Sequence, residues 1–180
     1  DGPLAEELLR DYDRQSVQLE GLLLAFALTK RPTEDFRALV VDEMSKLTIP
    51  HRIKGVTQTA LTHLEDMALH IETLKEIATN LRELAYVEAD DDMPIGSVAG
   101  LITDALGVNV GLCYKVKGDL VNLSIRSRRG LRYHLGKITQ GIAYKHGGFG
   151  GGHKRASGAS IPLNGLKGFI DDLVQALVKR

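Results

Sequence analysis

The sequence predicts an α/β protein: a helical N-terminal region, then a small mixed-sheet domain. Three observations predict it. From about Leu4 to Leu84 apolar residues recur at three- and four-residue spacing, the period of helices. Beyond Leu84 short alternating runs appear, two of them flanking a compact turn at Lys117-Gly118. The 180 residues, 43% of them hydrophobic, suffice for one or two domains with real cores rather than a disordered chain.

Each element follows in order. LAEELLRDYDRQSVQLEGLLLAFALTK reads as a helix that stops before Pro32. Its run Leu22, Leu23, Leu24, Phe26 and Leu28 is too continuous for a simple amphipathic surface, which puts it in the core or against a partner chain. A second helix begins at Thr33, an N-cap followed by Glu34 and Asp35, and runs to about Ser45; FRALVV within it also fits a buried strand. After Pro50 a long amphipathic helix extends from Val56 to about Leu84, with Val56, Ala60, Leu64, Met67, Ile71, Leu74 and Ile77 on one stripe. No internal repeat or low-complexity linker interrupts the chain.

In the second region LAYVEAD alternates as a strand, DDDMP ends it, and IGSVAGLITDAL forms a helix. VNVGLCYKV and DLVNLSIRS make an antiparallel hairpin. A helix from about Leu131 to Lys145, a glycine-rich loop, a strand ASGASI and a closing helix from about Asn164 to Val178 complete a domain of helices packed on a mixed sheet. The expected division is 1–83 and 84–180.

Charge separates sharply. From Val121 to Arg155 there are eight basic residues and no acid, so with 23 basic and 23 acidic residues in all the remainder carries a net −8. Such asymmetry directs a field at a ligand rather than serving solubility alone, although a solvated helix face is the plain alternative. No apolar run approaches the length of a spanning helix and no basic-apolar leader opens the chain, giving the expectation of a soluble cytoplasmic protein without membrane contact. The chain starts at Asp1 rather than Met, which also fits a processed chain or part of something longer. Cys113 is alone and reads as a small buried side chain.

The stretch GGFGGGHKRASGAS, Gly147 to Ser160, concentrates six glycines beside His153, Lys154 and Arg155. Glycines without Cβ atoms let backbone N–H groups approach phosphate oxygens, and the following side chains add charge and directional donors. The candidate phosphate-binding residues are Gly150, Gly151, Gly152, His153, Lys154, Arg155 and Ser157, with Ser124, Arg126, Ser127 and Arg128 at the end of the hairpin. The tract is no Walker loop, since Gly-Lys followed by Ser or Thr is missing. Among aromatic residues of the basic segment, Phe149 is the candidate for base stacking, while Tyr133 and Tyr144 are read as packed on the sheet. Few stacking residues favour backbone contact with little sequence preference.

GGGHKRASGA, with SIRSRRG upstream, resembles the DHH-associated domain, the substrate-binding module of DHH-superfamily phosphoesterases such as RecJ exonucleases, nanoRNases and pAp phosphatases. The resemblance covers about Leu84 to Arg180 and points to a RecJ-like protein of archaeal type; alanyl-tRNA synthetases carry a more distant relative. It implies that Gly151, Gly152 and His153 hold the phosphate or sugar near the reacting end, with Arg126 helping to hold nucleic acid. It also implies hydrolysis in a preceding domain, where Asp-x-Asp, DHH and further aspartates bind Mn²⁺ or Mg²⁺. No DHH tripeptide occurs here, and the bare Asp-x-Asp spacing of Asp11-Tyr12-Asp13 lies in a helical pattern without an apolar strand before it. Asp11-Tyr12-Asp13 reads as surface acids, Asp90-Asp91-Asp92 as a turn and helix start, His63 and His70 as solvent-side or packed, and Asp42 cannot alone hold two metals. No catalytic residue, cofactor or metal ligand is therefore assigned to this chain.

Two expectations for function follow. One is a noncatalytic RecJ-like subunit that binds single-stranded DNA or RNA in a replication or repair complex, its helical half docking a partner such as GINS or a second copy. The other is the substrate-binding part of a metal-dependent DHH-family exonuclease or oligonucleotide phosphodiesterase. A small-molecule phosphate sensor is a weaker third.

Overall fold

The computed structural model describes Glu6, residues 12–90 and residues 94–178. Asp11, Asp91 and Asp92 lie outside the described residues. The chain divides into two compact units, Asp1–His70 and Ile71–Arg180.

In the first unit α1 (Arg14–Lys30) is capped by Asp13, whose Oδ1 accepts the Ser16 N–H at 2.9 Å. That bond to the carboxylate holds the Asp13 pKa below its ordinary value. The helix ends at Lys30 because the residue before Pro32 disfavours helical geometry. FRALVV is helical, within α2 (Glu34–Ser45), and buries Phe36 and Val40, four residues apart on one face. Thr33 sits at the N-cap position without a side-chain capping bond, so only the acids expected of the first turn, Glu34 and Asp35, favour that end.

A short 3₁₀ turn (Pro50–Arg52) leads to α3 (Val56–Ile77). Ala27, Phe36, Val40, Ile53, Val56 and Ala60 form the core of this unit. The leucine run of α1 is split: Leu23, Leu24, Phe26 and Leu28 pack against that core, whereas Leu22 is 54% exposed. A run of apolar residues longer than one helical face must place some on the outside.

Helix α3 stops seven residues before the expected Leu84. Thr79 and Asn80 are weak helix formers, and the Asn80 side chain accepts the Arg82 N–H at 3.0 Å, an Asx turn that competes with helical bonding. Thr79–Asn80 instead forms a short strand, β1.

The second unit is built on a six-stranded mixed sheet: β1, β2 (Leu84–Glu88), β3 (Val110–Lys117), β4 (Leu120–Ser127), β5 (Phe149–Gly152) and β6 (Ala156–Pro162), in the order β1-β2-β3-β4-β6-β5. β2 and β3 run parallel, and all other neighbours are antiparallel. The parallel pair needs a crossover, supplied by α4 (Ile95–Leu106), which Gly107 terminates in a left-handed conformation (φ 69°). The β3–β4 turn is centred on Gly118-Asp119, one residue later than expected, with Gly118 at φ 62°.

Opposed residues in a ladder share a face, so the register assigns the sheet's two sides. Val121, Leu123, Ile125 and Ile161 pack with residues of α5 (Leu135–Lys145) and α6 (Leu166–Val178), including Leu135, Phe169 and Leu173. Val98, Ala99 and Ile102 of α4 pack on the other side with Ala85, Val87 and Cys113. α4 lies close enough that a Cβ on Gly111 would meet the Ala99 carbonyl oxygen at 2.2 Å. Cys113 is fully buried, and desolvation pushes its thiol up to about 12, well out of reach of a reactive thiolate at neutral pH. No helix among the described residues is long and apolar enough to cross a membrane.

Candidate nucleic-acid interface

The glycine tract is a strand rather than a loop. Phe149–Gly152 pairs antiparallel with β6 along the register Phe149↔Ser160, Gly150↔Ala159, Gly151↔Gly158 and Gly152↔Ser157. His153, Lys154 and Arg155 make the turn of this hairpin, closed by the His153 N–H donating to the Ala156 carbonyl at 2.7 Å. Because bonded and non-bonded pairs alternate in such a ladder, Gly151 directs its amide toward β6. Gly150 and Gly152 direct theirs away from it, along the outer edge of the sheet.

Close packing requires glycine at three positions of the tract but not at Gly151. A Cβ on Gly152 would meet the Ala156 carbonyl oxygen at 2.4 Å, one on Gly150 would meet the Ala159 Cβ at 2.9 Å, and one on Gly148 the Ser160 carbonyl oxygen at 2.2 Å. Across from them, a Cβ on Gly136 in the first turn of α5 would lie 2.2 Å from the Gly152 carbonyl oxygen. Gly148, Gly150 and Gly152 let this stretch lie tightly against β6, and Gly136 lets the α5 backbone touch β5. Gly151 differs: a Cβ there would meet nothing within 4 Å. Packing leaves it open.

The open side is the α4 face. One row across β3, β4, β6 and β5 reads Cys113, Ser124, Gly158, Gly151; the next reads Gly111, Arg126, Ala156. The row on the other side reads Lys115, Asn122, Ser160, Phe149, with Phe149 75% exposed. Two adjacent glycines thus make a bare backbone shelf bounded by Ser124, Arg126, Ser160 and Phe149. Arg126 Nη1 donates to Ser124 Oγ (3.0 Å) and to the Ile125 carbonyl (3.1 Å), which fixes the guanidinium over the sheet. Its Nη2 lies beside Gly96 in the first turn of α4, where a Cβ would come within 3.0 Å. That turn has no acidic residue and Pro94 supplies no side-chain cap, so the positive end of the helix and the guanidinium act on one spot, where both favour an anion.

The remaining candidates are dispersed. Ser157 shares the Ile125 side of the sheet, opposite Ser124 and Arg126, and its hydroxyl bonds Thr139 Oγ1 of α5 at 2.8 Å. Ser127 Oγ is buried without a hydrogen-bond partner. Arg128 is exposed at the start of the loop that leads to α5, and His153, Lys154 and Arg155 are exposed on the hairpin turn.

Tyr133 is buried in the core, as read from the sequence, but Tyr144 is 84% exposed. α5 begins at Leu135, four residues later than expected, with His134 Nδ1 accepting the Lys137 N–H, and Tyr144 falls on its solvent side. Arg129 and Arg132, counted from the sequence among the eight basic residues but not among the candidate site residues, line with Lys154 and Arg155 a cleft of about 600 Å³. Their density in one short loop was the available signal.

The described residues do not fit a metal pair. No group of three or more His, Cys, Asp or Glu side chains comes together among them. Asp13 caps α1, Asp42 pairs with Lys46 at 2.6 Å, and the His63 ring lies against Phe26.

Comparison with known proteins agrees with this architecture. The DHHA1 domain family matches residues 84–179. Among solved structures, the pGpG-specific phosphodiesterase PggH from Vibrio cholerae is similar over 81% of this chain and 50% of its own, at 14% identity and a TM-score of 0.58. A DHH-domain member of the S1p family of ribosomal proteins is similar over 71% of this chain and 35% of its own, at 16% identity and a TM-score of 0.54. RecJ from Thermus thermophilus, solved in complex with Mg²⁺, is similar over 71% of this chain and 20% of its own, at 15% identity and a TM-score of 0.50. The chain thus spans half or less of the length of each. No curated protein sequence matches it. With the match extending over more than half its length, the chain belongs to the DHHA1 domain family.

Proposed function

We propose that the second unit binds the phosphodiester backbone of a single-stranded nucleic acid on the α4 face of its sheet. The observation that carries this reading is the coincidence of the open Gly151–Gly158 shelf with Arg126 and Ser124 on the same face. In this reading Arg126 holds a phosphate against the first turn of α4, and the Gly150 and Gly152 amides at the sheet edge serve a neighbouring phosphate or sugar oxygen. His153, Lys154, Arg155 and Arg128 guide the strand, and Phe149 stacks on a base. Ser127 and Ser157 act indirectly, by supporting the strands that carry the others.

The chain supplies recognition and the hydrolytic metals, Mn²⁺ or Mg²⁺, belong to another domain or subunit. Two settings accommodate this. In one, residues 1–83 dock the chain as a noncatalytic RecJ-like subunit in a replication or repair complex of the GINS-associated type, and residues 84–180 bind the strand. In the other, the chain is the substrate-binding part of a DHH-family exonuclease or oligonucleotide phosphodiesterase. The second is favoured by the coverage, since the similar structures are two to five times as long as the part matched.

Binding of a fluorescent oligonucleotide tests the site. Arg126→Ala and His153→Ala should each weaken binding, whereas Asp42→Ala in the first unit should not. Equal effects from all three would defeat the assignment.

A further inference from the structure

The α4 face of the sheet continues past the shelf. α4 packs on the rows that contain Gly111 and Cys113, and Arg126 lies against its first turn at Gly96. The next row, Lys115, Asn122, Ser160 and Phe149, crosses β3, β4, β6 and β5 on the same face. Phe149 at its outer end is 75% exposed, and Leu120 in the row after it is 50% exposed, so this end of the sheet is open. Asn122 and Ser160 are half-buried in its floor.

Among the described residues, neither the Asn122 amide nor the Ser160 hydroxyl has a hydrogen-bond partner. Together they offer an amide donor and acceptor side by side and a hydroxyl that serves as either. Main-chain amides and an arginine grip phosphate without regard to sequence, whereas side-chain amides read base edges. Strand spacing sets their reach. Neighbouring strands lie about 4.8 Å apart, so Ser160 is one spacing from Phe149 and Asn122 two, about 10 Å. A single-ring base stacked on Phe149 ends over Ser160. A purine, longer by a fused ring, extends to the Asn122 amide.

We infer that Asn122 and Ser160 read the edge of a base stacked on Phe149 and make this surface selective for purines. The inference rests on the reading of the face as a strand-binding surface, and it adds a preference that Arg126 and the Gly150 and Gly152 amides do not carry. The Asn122 amide donates to a purine ring nitrogen or carbonyl oxygen and accepts from the neighbouring N–H, a pattern that adenine and guanine both offer. Pyrimidines offer it too, but fall short of the amide. Ser160 lies within reach of either ring size and bonds purines and pyrimidines alike. Asn122 and Ser160 stand 38 residues apart and meet beside Phe149 only through the strand register.

Anisotropy titrations with short single strands of adenine, of alternating guanine and adenine, of cytosine and of thymine test the selection. The two purine strands should bind about tenfold more tightly than the pyrimidine strands, the equivalent of one good amide–base pair. Asn122→Ala should abolish the preference by lowering purine affinity alone. Ser160→Ala should weaken all four strands about twofold and keep the preference. In the unaltered protein the Asn122 side-chain NH₂ resonances should move when the adenine strand is added and stay in place with cytosine, a readout that does not depend on a variant folding. Equal affinity for all four strands, a purine preference that survives Asn122→Ala, or Asn122 resonances that respond to neither strand would each overturn the inference. Arg126→Ala separates the two readings: it should weaken every strand by the same factor and leave the purine preference intact. Unchanged affinity in that variant would defeat the shelf, whereas tight binding without base preference in the parent would defeat purine selection alone.

Discussion

At Gly136 and Gly141, two glycines of the same helix, substitution by alanine should have opposite signs. A methyl on Gly136 would run into the Gly152 backbone at 2.2 Å, so Gly136→Ala forces α5 away from β5 and should cost about 1–3 kcal/mol, as overpacking does. A methyl on Gly141 meets nothing within 4 Å, so Gly141→Ala should gain about 0.5–1 kcal/mol from restricted backbone freedom. Urea denaturation midpoints check both. Equal destabilisation would mean that the close approach at Gly152 is not what selects glycine.

Between elements, the bond from Thr139 of α5 to Ser157 of β6 is the clearest single link. Both side chains are buried, so Thr139→Val leaves the Ser157 hydroxyl without its partner and should cost about 1–3 kcal/mol. A second link joins α5 to α6, where Asp172 pairs with His146 at 2.7 Å and with Lys145 at 2.8 Å. Hydrogen bonds from Lys145 and then His146 hold the Asp172 carboxyl below its ordinary pKa. A lowered folded-state value contributes stability above the unfolded pKa near 3.8 and loses it as pH falls through the folded value. Acid unfolding of Asp172→Asn should accordingly show a weaker pH dependence below about pH 4 than the parent.

The same elements show what the residues disclosed in advance. The crossover helix, the β3–β4 hairpin and the closing helix were legible because period and turn chemistry agree there. The strand Phe149–Gly152 was not, because glycine has low strand propensity and a run of it reads as a loop. Its close approach to β6 and the contact with Gly136, 16 residues away from Gly152, make the run fit a sheet edge. For the site, Arg126 and the glycines were legible as chemistry; the separation of Ser157 from them was not, since it depends on a register that no local pattern encodes.

For the whole molecule, the concentration of positive charge in one stretch predicts a steep response to ionic strength. Single-strand affinity should fall with salt with a log–log slope of about −0.7 for each phosphate neutralised, and Arg126→Ala should flatten it by about one such increment. A flat salt response at measurable affinity would exclude backbone recognition. Anisotropy titrations across a series of salt concentrations provide the measurement.

The sheet order has one more effect. β4 lies between β3, its immediate predecessor, and β6, whose Ala156 faces Arg126 only after about 30 intervening residues have been laid down. The shelf accordingly has no partial form during synthesis: a nascent chain that ends at the glycines owns the arginine but not the floor beneath it. Competence to grip an oligonucleotide should arrive abruptly, as the final strand zips into its slot, making this long-distance closure the event that slows folding.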